Sequence, residues 1–139
     1  MRAAVLLGCL GAFALLGCRA GAPPQTREQQ LKDSFVQQIA STGIVRDVQR
    51  SDDTVSFTAR YRDQPAAKWR VQIDSASVDR PPSDPAKERG LVKSSWFVDG
   101  EQIRPRGDQS DLPLPFLDNG LAQECWAFWD ESRREWSWK

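Results

Sequence analysis

The sequence predicts an α+β fold, with one N-terminal amphipathic helix packed on an antiparallel meander sheet of about six to seven strands, in a single domain. Three features of the chain predict this fold. Leu31, Phe35 and Ile39 recur at the spacing of one helix face. Apolar and polar residues alternate over residues 68–74, as in a strand with one buried face. Asp99-Gly100 separates two apolar runs and is a strong hairpin signal.

The helix is predicted to span about 16 residues, from the capping pattern Thr26-x-x-Gln29 to a stop at Gly43. Val36 and Ala40 lie beside its apolar stripe. Because one side of the helix is apolar, that side must be covered by another part of the chain. The strands that follow are the expected partner.

Residues 44–50 and 54–61 are predicted to form the first hairpin, across the two-residue loop Asp52-Asp53. Val55 and Ala59 then share one face of the hairpin. The same register sets two apolar pairs opposite each other, namely Val48 with Phe57 and Ile44 with Tyr61.

Residues 68–74 form the next predicted strand. One face of this strand carries three apolar side chains, those of Trp69, Val71 and Ile73. The alternation slips between Ile73 and residues 76–78, which indicates a β-bulge. Residues 79–90 contain three prolines and are predicted to form a loop.

Asp99-Gly100 is predicted to join residues 91–98 to residues 101–103 in a hairpin, with Trp96 opposite Ile103. The next segment, residues 104–120, holds three prolines and has no periodicity. A loop of this length is uncommon in a compact domain and is often functional. The plainer interpretation is a lid that folds back on the core through three apolar side chains, those of Leu114, Phe116 and Leu117.

The last segment holds four of the six tryptophans and is predicted to form a final hairpin. Residues 125–130 and 135–139 pair across the four-residue loop 131–134. In this register Trp129 faces Trp136 and Ala127 faces Trp138, whereas Trp126 and Phe128 point to the other side. Both faces of the hairpin therefore carry aromatic side chains.

The first 18 residues have the layout of an export signal. Met1-Arg2 is a short positive start, and residues 3–16 are an apolar run too short for a transmembrane helix. The run ends in Leu15-Leu16-Gly17-Cys18, which resembles the lipobox of bacterial lipoproteins. The resemblance implies that Cys18 is linked to a diacylglycerol, becomes the new N-terminus and is acylated there, for instance with palmitate.

Three alternatives compete with processing at Cys18. Leu6-Leu7-Gly8-Cys9 has the same pattern after a shorter apolar run, and residues 20–22 fit an ordinary A-x-A cleavage site. The third alternative is an uncleaved anchor. Processing at Cys18 predicts a signal peptide at 1–17, a lipidated cysteine and tether at 18–25, and a single domain at 26–139.

The lipobox predicts localisation in the cell envelope as a lipid-anchored membrane protein. Arg19, and not an aspartate, follows Cys18. In a Gram-negative bacterium the lipoprotein pattern then implies the periplasmic face of the outer membrane.

Composition excludes several classes of function. The chain has 139 residues, 19 basic and 19 acidic, and no histidine. Without histidine it lacks the usual catalytic base and the commonest metal ligand, so no metal site and no cofactor are predicted. Balanced charge without basic blocks argues against a nucleic-acid partner. Once Cys9 and Cys18 are assigned to the signal and the anchor, Cys125 is a lone thiol, expected to be a small buried residue.

Two groups of residues are candidates for function. Aromatic rings bind sugars or protein surfaces, and the candidates for such binding are Trp126, Phe128, Trp129, Trp136 and Trp138. The alternative is that these rings fill the core, because aromatic pairs across strands stabilise a sheet by themselves. Paired carboxylates are the only candidates for hydrolysis, and they are Glu124, Asp130, Glu131, Glu135, Asp108, Asp111 and Asp118.

The sequence favours a non-enzymatic envelope lipoprotein. It would act as a binding or assembly-accessory module that presents its aromatic C-terminal hairpin to a protein or glycan partner. The alternatives are a small cell-wall hydrolase that uses paired carboxylates and a purely structural envelope spacer.

Overall fold

The computed structural model describes residues 21, 23–60, 65–84, 86–103 and 124–138. Within these residues the chain forms one helix and seven strands. In chain order they are α1 (Arg27–Ser41), β1 (Val45–Ser51), β2 (Thr54–Ala59), β3 (Ala67–Asp79), β4 (Arg89–Val98), β5 (Glu101–Ile103), β6 (Glu124–Asp130) and β7 (Glu135–Trp138).

The strands form one antiparallel sheet, curled into a half-barrel, in the order β1-β2-β3-β4-β6-β7. One edge of β4 pairs with β3, and the other edge is shared by β5 at one end and β6 at the other. The predicted single domain of antiparallel sheet with one helix is therefore confirmed. Two details of the prediction are corrected. The meander stops at β5, because β6 returns to pair with β4, and the helix is not N-terminal, because it begins at Arg27.

The helix begins at the predicted cap, where the Thr26 hydroxyl accepts a hydrogen bond from the backbone N–H of Gln29 at 3.2 Å. It ends at Ser41, because Thr42 adopts an extended conformation before Gly43 is reached. Its buried side chains are the three predicted ones, Leu31, Phe35 and Ile39. Among the described residues, no helix is both long and apolar enough to span a membrane.

The first hairpin has the predicted turn but a different register beyond it. Ser51 pairs with Thr54 as predicted, but the pairing shifts by one residue between Arg46 and Gln49. Asp47 lies in the left-handed region, with a φ of 54°, and forms a β-bulge. The predicted pairing of Val48 with Phe57 is therefore wrong, and the Val48 side chain is 37% exposed.

The bulge also changes which residue of β1 enters the core. Val45 is buried and pairs with Ala59, whereas Ile44 precedes the strand and is half-buried. Tyr61, the predicted partner of Ile44, lies outside the described residues.

The central strands follow the predicted pattern. Three side chains on one face of β3 are buried, those of Trp69, Val71 and Ile73. The predicted bulge lies between Ile73 and Ser75, and Trp96 pairs with Ile103 as expected. The core is built around Phe57, whose ring stacks on Trp69 at 6.1 Å between centroids, with Trp96 edge-on to both rings.

The final hairpin has the predicted register, whereas its first strand begins one residue earlier than predicted, at Glu124, and residue 139 lies outside the described residues. Trp129 pairs with Trp136, and Ala127 pairs with Trp138. The segment 104–120, its predicted lid residues Leu114, Phe116 and Leu117, and Cys18 lie outside the described residues.

Candidate functional site

The five candidate aromatic residues divide between the two faces of the β6–β7 hairpin. On the face toward the helix lie three of them, Trp129, Trp136 and Trp138. On the opposite face lie the other two, Trp126 and Phe128, which we call the outer aromatic pair. The division follows from strand alternation and from the observed pairing of β6 with β7.

The inner tryptophans dock the hairpin against the helix. Trp136 is only 5% exposed, and the Trp129 ring packs edge-on to it at 5.4 Å between centroids. Trp138 packs at 5.5 Å from the Phe35 ring, and its Nε1–H donates a hydrogen bond of 2.9 Å to the hydroxyl of Ser34. Trp136 therefore belongs to the core, whereas Trp129 and Trp138 are half-buried at its border.

Between the helix and β7 lies an open cleft of about 640 Å³, which we call the α1–β7 cleft. Aromatic side chains form the wall on the strand side, and side chains with amide or hydroxyl groups form most of the wall on the helix side. The lining residues are Gln25, Gln30, Asp33, Ser34, Gln37, Gln38, Ser41, Trp129, Arg134, Glu135, Trp136, Ser137 and Trp138. The cleft thus combines flat apolar rings with neutral polar groups.

Several polar groups of the cleft have no partner among the described residues. The side-chain amides of Gln37 and Gln38 are exposed and make no hydrogen bond within this part of the chain. The Nε1–H of Trp136 is enclosed and has no acceptor there. A buried indole N–H normally finds a partner, so this donor is unsatisfied within the described part of the chain.

Asp33 is the best-anchored charged group of the cleft. Burial opposes ionisation of its carboxylate, but hydrogen bonds from Arg50, Gln29 and Gln25 outweigh burial and lower the pKa of Asp33 below its ordinary value. The Arg50 guanidinium lies 2.6 Å from the Asp33 carboxylate and the Gln29 amide 2.9 Å from it. This carboxylate is therefore an acceptor fixed in place on the helix wall.

The outer aromatic pair is half-buried on the other face of the sheet. Trp126 pairs with Leu91 on β4, and Phe128 pairs with Arg89. The Arg89 guanidinium lies 5.7 Å from the centre of the Trp126 ring and 2.7 Å from the Asp79 carboxylate. This face of the hairpin combines aromatic and aliphatic side chains with an ion pair.

Glu88 is a buried carboxylate that links the start of the helix to β6. The sequence did not predict its burial. Glu88 is 4% exposed, and its side chain lies 3.3 Å from Arg27 on the helix and 3.0 Å from Arg80. The backbone carbonyl of Glu88 accepts a hydrogen bond of 2.9 Å from the N–H of Trp129, and the Arg27 guanidinium stacks 3.7 Å above the Trp129 ring. We call these residues the Glu88 clamp, which joins the start of the helix to β6. Glu88 lies between charged residues in a predicted loop, a setting that gives no sign of burial.

The carboxylates considered for hydrolysis are engaged where the structure describes them. Glu124 forms an ion pair with Lys93 at 3.2 Å, Glu131 accepts a 2.6 Å hydrogen bond from the Trp129 indole, and Glu135 lies 3.6 Å from Arg133. The side chain of Ser132 and the backbone N–H of Arg133 lower the pKa of Asp130. A general acid needs a raised pKa instead.

The other three acidic candidates, Asp108, Asp111 and Asp118, lie outside the described residues. Within the described ranges, no group of three or more acidic or cysteine side chains is placed to hold a metal ion.

Cys125 is buried against Val92, its partner on β4. Burial raises the pKa of the Cys125 thiol to about 11. The predicted small buried residue is confirmed, and the side chain is a neutral thiol near neutral pH.

Comparison of the chain with protein-family models, with curated protein sequences and with solved structures finds no match.

Proposed function

We propose that this protein is a non-enzymatic cell-envelope lipoprotein, anchored through Cys18, that binds a protein or glycan partner through its C-terminal hairpin. One observation carries the proposal. The hairpin has half-exposed aromatic side chains on both faces, with the outer pair of Trp126 and Phe128 on one side and Trp129 and Trp138 beside the α1–β7 cleft on the other.

The proposed anchor would keep the hairpin near the membrane surface. Seven residues, 19–25, separate Cys18 from the helix cap, and a fully extended chain of that length reaches about 25 Å. The helix then begins at Arg27, which the Glu88 clamp joins to the sheet. A short tether that leads into a clamped helix supports a module working close to its membrane.

The state of the titratable side chains supports binding over catalysis. The described carboxylates beside the hairpin are engaged by Lys93, Arg133 and the Trp129 indole. The Cys125 thiol is buried and protonated. A hydrolase needs a carboxylate with a raised pKa or an ionised nucleophile, held at a substrate.

Site-directed photo-crosslinking in intact cells tests the binding proposal. A photoreactive amino acid placed at position 126 is expected to give a discrete crosslinked product, and the same residue at position 48 on the opposite edge strand serves as the control. Equal crosslinking at both positions, or none at position 126, would contradict a protein partner on the outer aromatic pair.

Incubation of the full-length protein with purified cell-wall glycan tests the second class of partner. We expect the protein to sediment with the insoluble glycan and to release no soluble sugar products. Release of soluble products would replace the binding proposal with the cell-wall hydrolase.

A further inference from the structure

We infer that the α1–β7 cleft binds a short oligosaccharide, one or two sugar rings of which lie against Trp138. The inference rests on the proposed function and deepens it, because it assigns the glycan to the helix side of the hairpin. The outer aromatic pair is then left for other contacts.

The cleft is large enough to hold part of a chain-like ligand, and it is open to solvent. Its volume of about 640 Å³ lies within the range of about 300–1,000 Å³ that small-molecule sites occupy. The cleft runs between the helix and β7, the edge strand of the sheet. A ligand longer than the cleft can therefore extend into solvent past the sheet edge.

The aromatic wall provides the stacking surface that a sugar needs. The C–H groups on one face of a pyranose ring carry partial positive charge, and an indole face carries the negative part of its quadrupole. Trp138 is half-buried, packs on Phe35 and is held by its hydrogen bond to Ser34. Its orientation is therefore fixed before a ligand arrives, which lowers the entropy lost on binding.

The polar groups of the helix wall match hydroxyl groups. Gln37 and Gln38 present exposed amides, each able to donate and accept hydrogen bonds, and neither amide is engaged within the described chain. A sugar hydroxyl is likewise both donor and acceptor.

The two carboxylates that line the cleft are already paired with arginines. The lining includes two carboxylates, those of Asp33 and Glu135, and one guanidinium, that of Arg134. Asp33 is already paired with Arg50 at 2.6 Å. Glu135 lies 3.6 Å from Arg133, so among the described residues Arg134 is the one charged side chain of the lining without an ion pair, and its guanidinium can donate to a sugar hydroxyl or carboxylate.

Calorimetric titration of the full-length protein tests this inference, in a detergent without a sugar head group. The probes are the trisaccharides of N-acetylglucosamine, of glucose and of galacturonate. We expect saturable binding of at least one of these three trisaccharides.

Three variants locate the binding. Trp138→Ala is expected to weaken binding about tenfold, and the double variant Gln37→Ala/Gln38→Ala about threefold to tenfold. The double variant changes exposed helix residues, so it remains informative if Trp138→Ala fails to fold. Val48→Ala, on the exposed edge strand β1, is the control and is expected to bind as the unchanged protein does.

Two results would overturn the inference, namely no saturable binding of any of the three trisaccharides, or unchanged binding in the folded double variant. The photo-crosslink at position 126 keeps this outcome separate from the proposed function. A retained crosslink without saccharide binding removes only the cleft ligand, whereas loss of both removes the binding module itself.

Discussion

Leu31 of the helix lies directly over Gly90 of β4, and a Cβ atom added to Gly90 would come within 2.6 Å of both Leu31 methyl carbons. Gly90 pairs with Ala127 on β6, so two small residues form the floor on which the helix rests. This approach positions α1 beside β7. The α1–β7 cleft therefore depends on the absence of a side chain at position 90.

Gly90→Ala is expected to destabilise the protein by about 1–3 kcal/mol. The added methyl group overlaps the end of the Leu31 side chain, which is fully buried and must shift within a close-packed core. Urea unfolding measures the loss. Gly43→Ala is the matched control, because a Cβ atom at Gly43 meets nothing within 4 Å, and an unfolding free energy reduced equally in both variants would contradict the packing argument.

Glu88→Gln is expected to lower the free energy of unfolding by about 1–3 kcal/mol, the range for hydrogen bonds to charged groups. The change weakens the links to Arg27 and Arg80. The loss stays below that of a fully buried ion pair, because both arginines retain access to water.

Glu135→Gln is the control for the Glu88 clamp. The Glu135 side chain is exposed and lies 3.6 Å from Arg133 in a surface pair, and such pairs contribute little. If Glu88→Gln and Glu135→Gln unfold at the same urea concentration, the ion pairs of Glu88 contribute no more to the free energy of unfolding than an exposed surface pair does.

Local patterns sufficed to predict most of the fold. The Asp99-Gly100 turn and the alternation in β3 each depend on neighbours within a few residues, and both were correctly predicted. The register of the last hairpin followed from its loop length alone. The error at Val48 has a different origin, since the bulge at Asp47 depends on a backbone conformation that no local apolar pattern encodes.

The candidate site was predictable only in part. The aromatic residues were visible in the sequence, because four tryptophans in one short segment are conspicuous. The role of the glutamines in the cleft and the burial of Glu88 could not be predicted from the sequence, because both follow from how the helix docks on distant strands. Docking geometry is a tertiary property, and no spacing along the chain reports it.

Cys18→Ser is expected to move the protein from the membrane fraction to the soluble fraction of lysed cells. A lipid chain holds a protein on a bilayer through its buried methylene groups, at about 0.8 kcal/mol each, and serine cannot form the thioether. Cys9→Ser is the matched control for the competing lipobox and should remain with the membrane. Release by Cys9→Ser with retention of Cys18→Ser would place the anchor at the other cysteine.

The Cys125 thiol gives the domain a specific loss of stability at alkaline pH. Burial raises its pKa from the ordinary value of 9.0 to about 11 in the folded state. Between these values the unfolded chain loses the thiol proton and the folded protein keeps it. The unfolded state is thus favoured as pH rises from 9 to 11, and the contribution of the group, about 2–3 kcal/mol, is intact below pH 9.

Cys125→Ala isolates this effect from the other groups that titrate at alkaline pH. The difference in unfolding free energy between the unchanged protein and the variant is expected to shrink by about 2–3 kcal/mol between pH 9 and pH 11. Urea unfolding at several pH values measures it. If the difference in unfolding free energy stays constant from pH 9 to pH 11, the thiol ionises in the folded protein as it does in the unfolded chain. Cys125 would then be open to thiol reagents without unfolding.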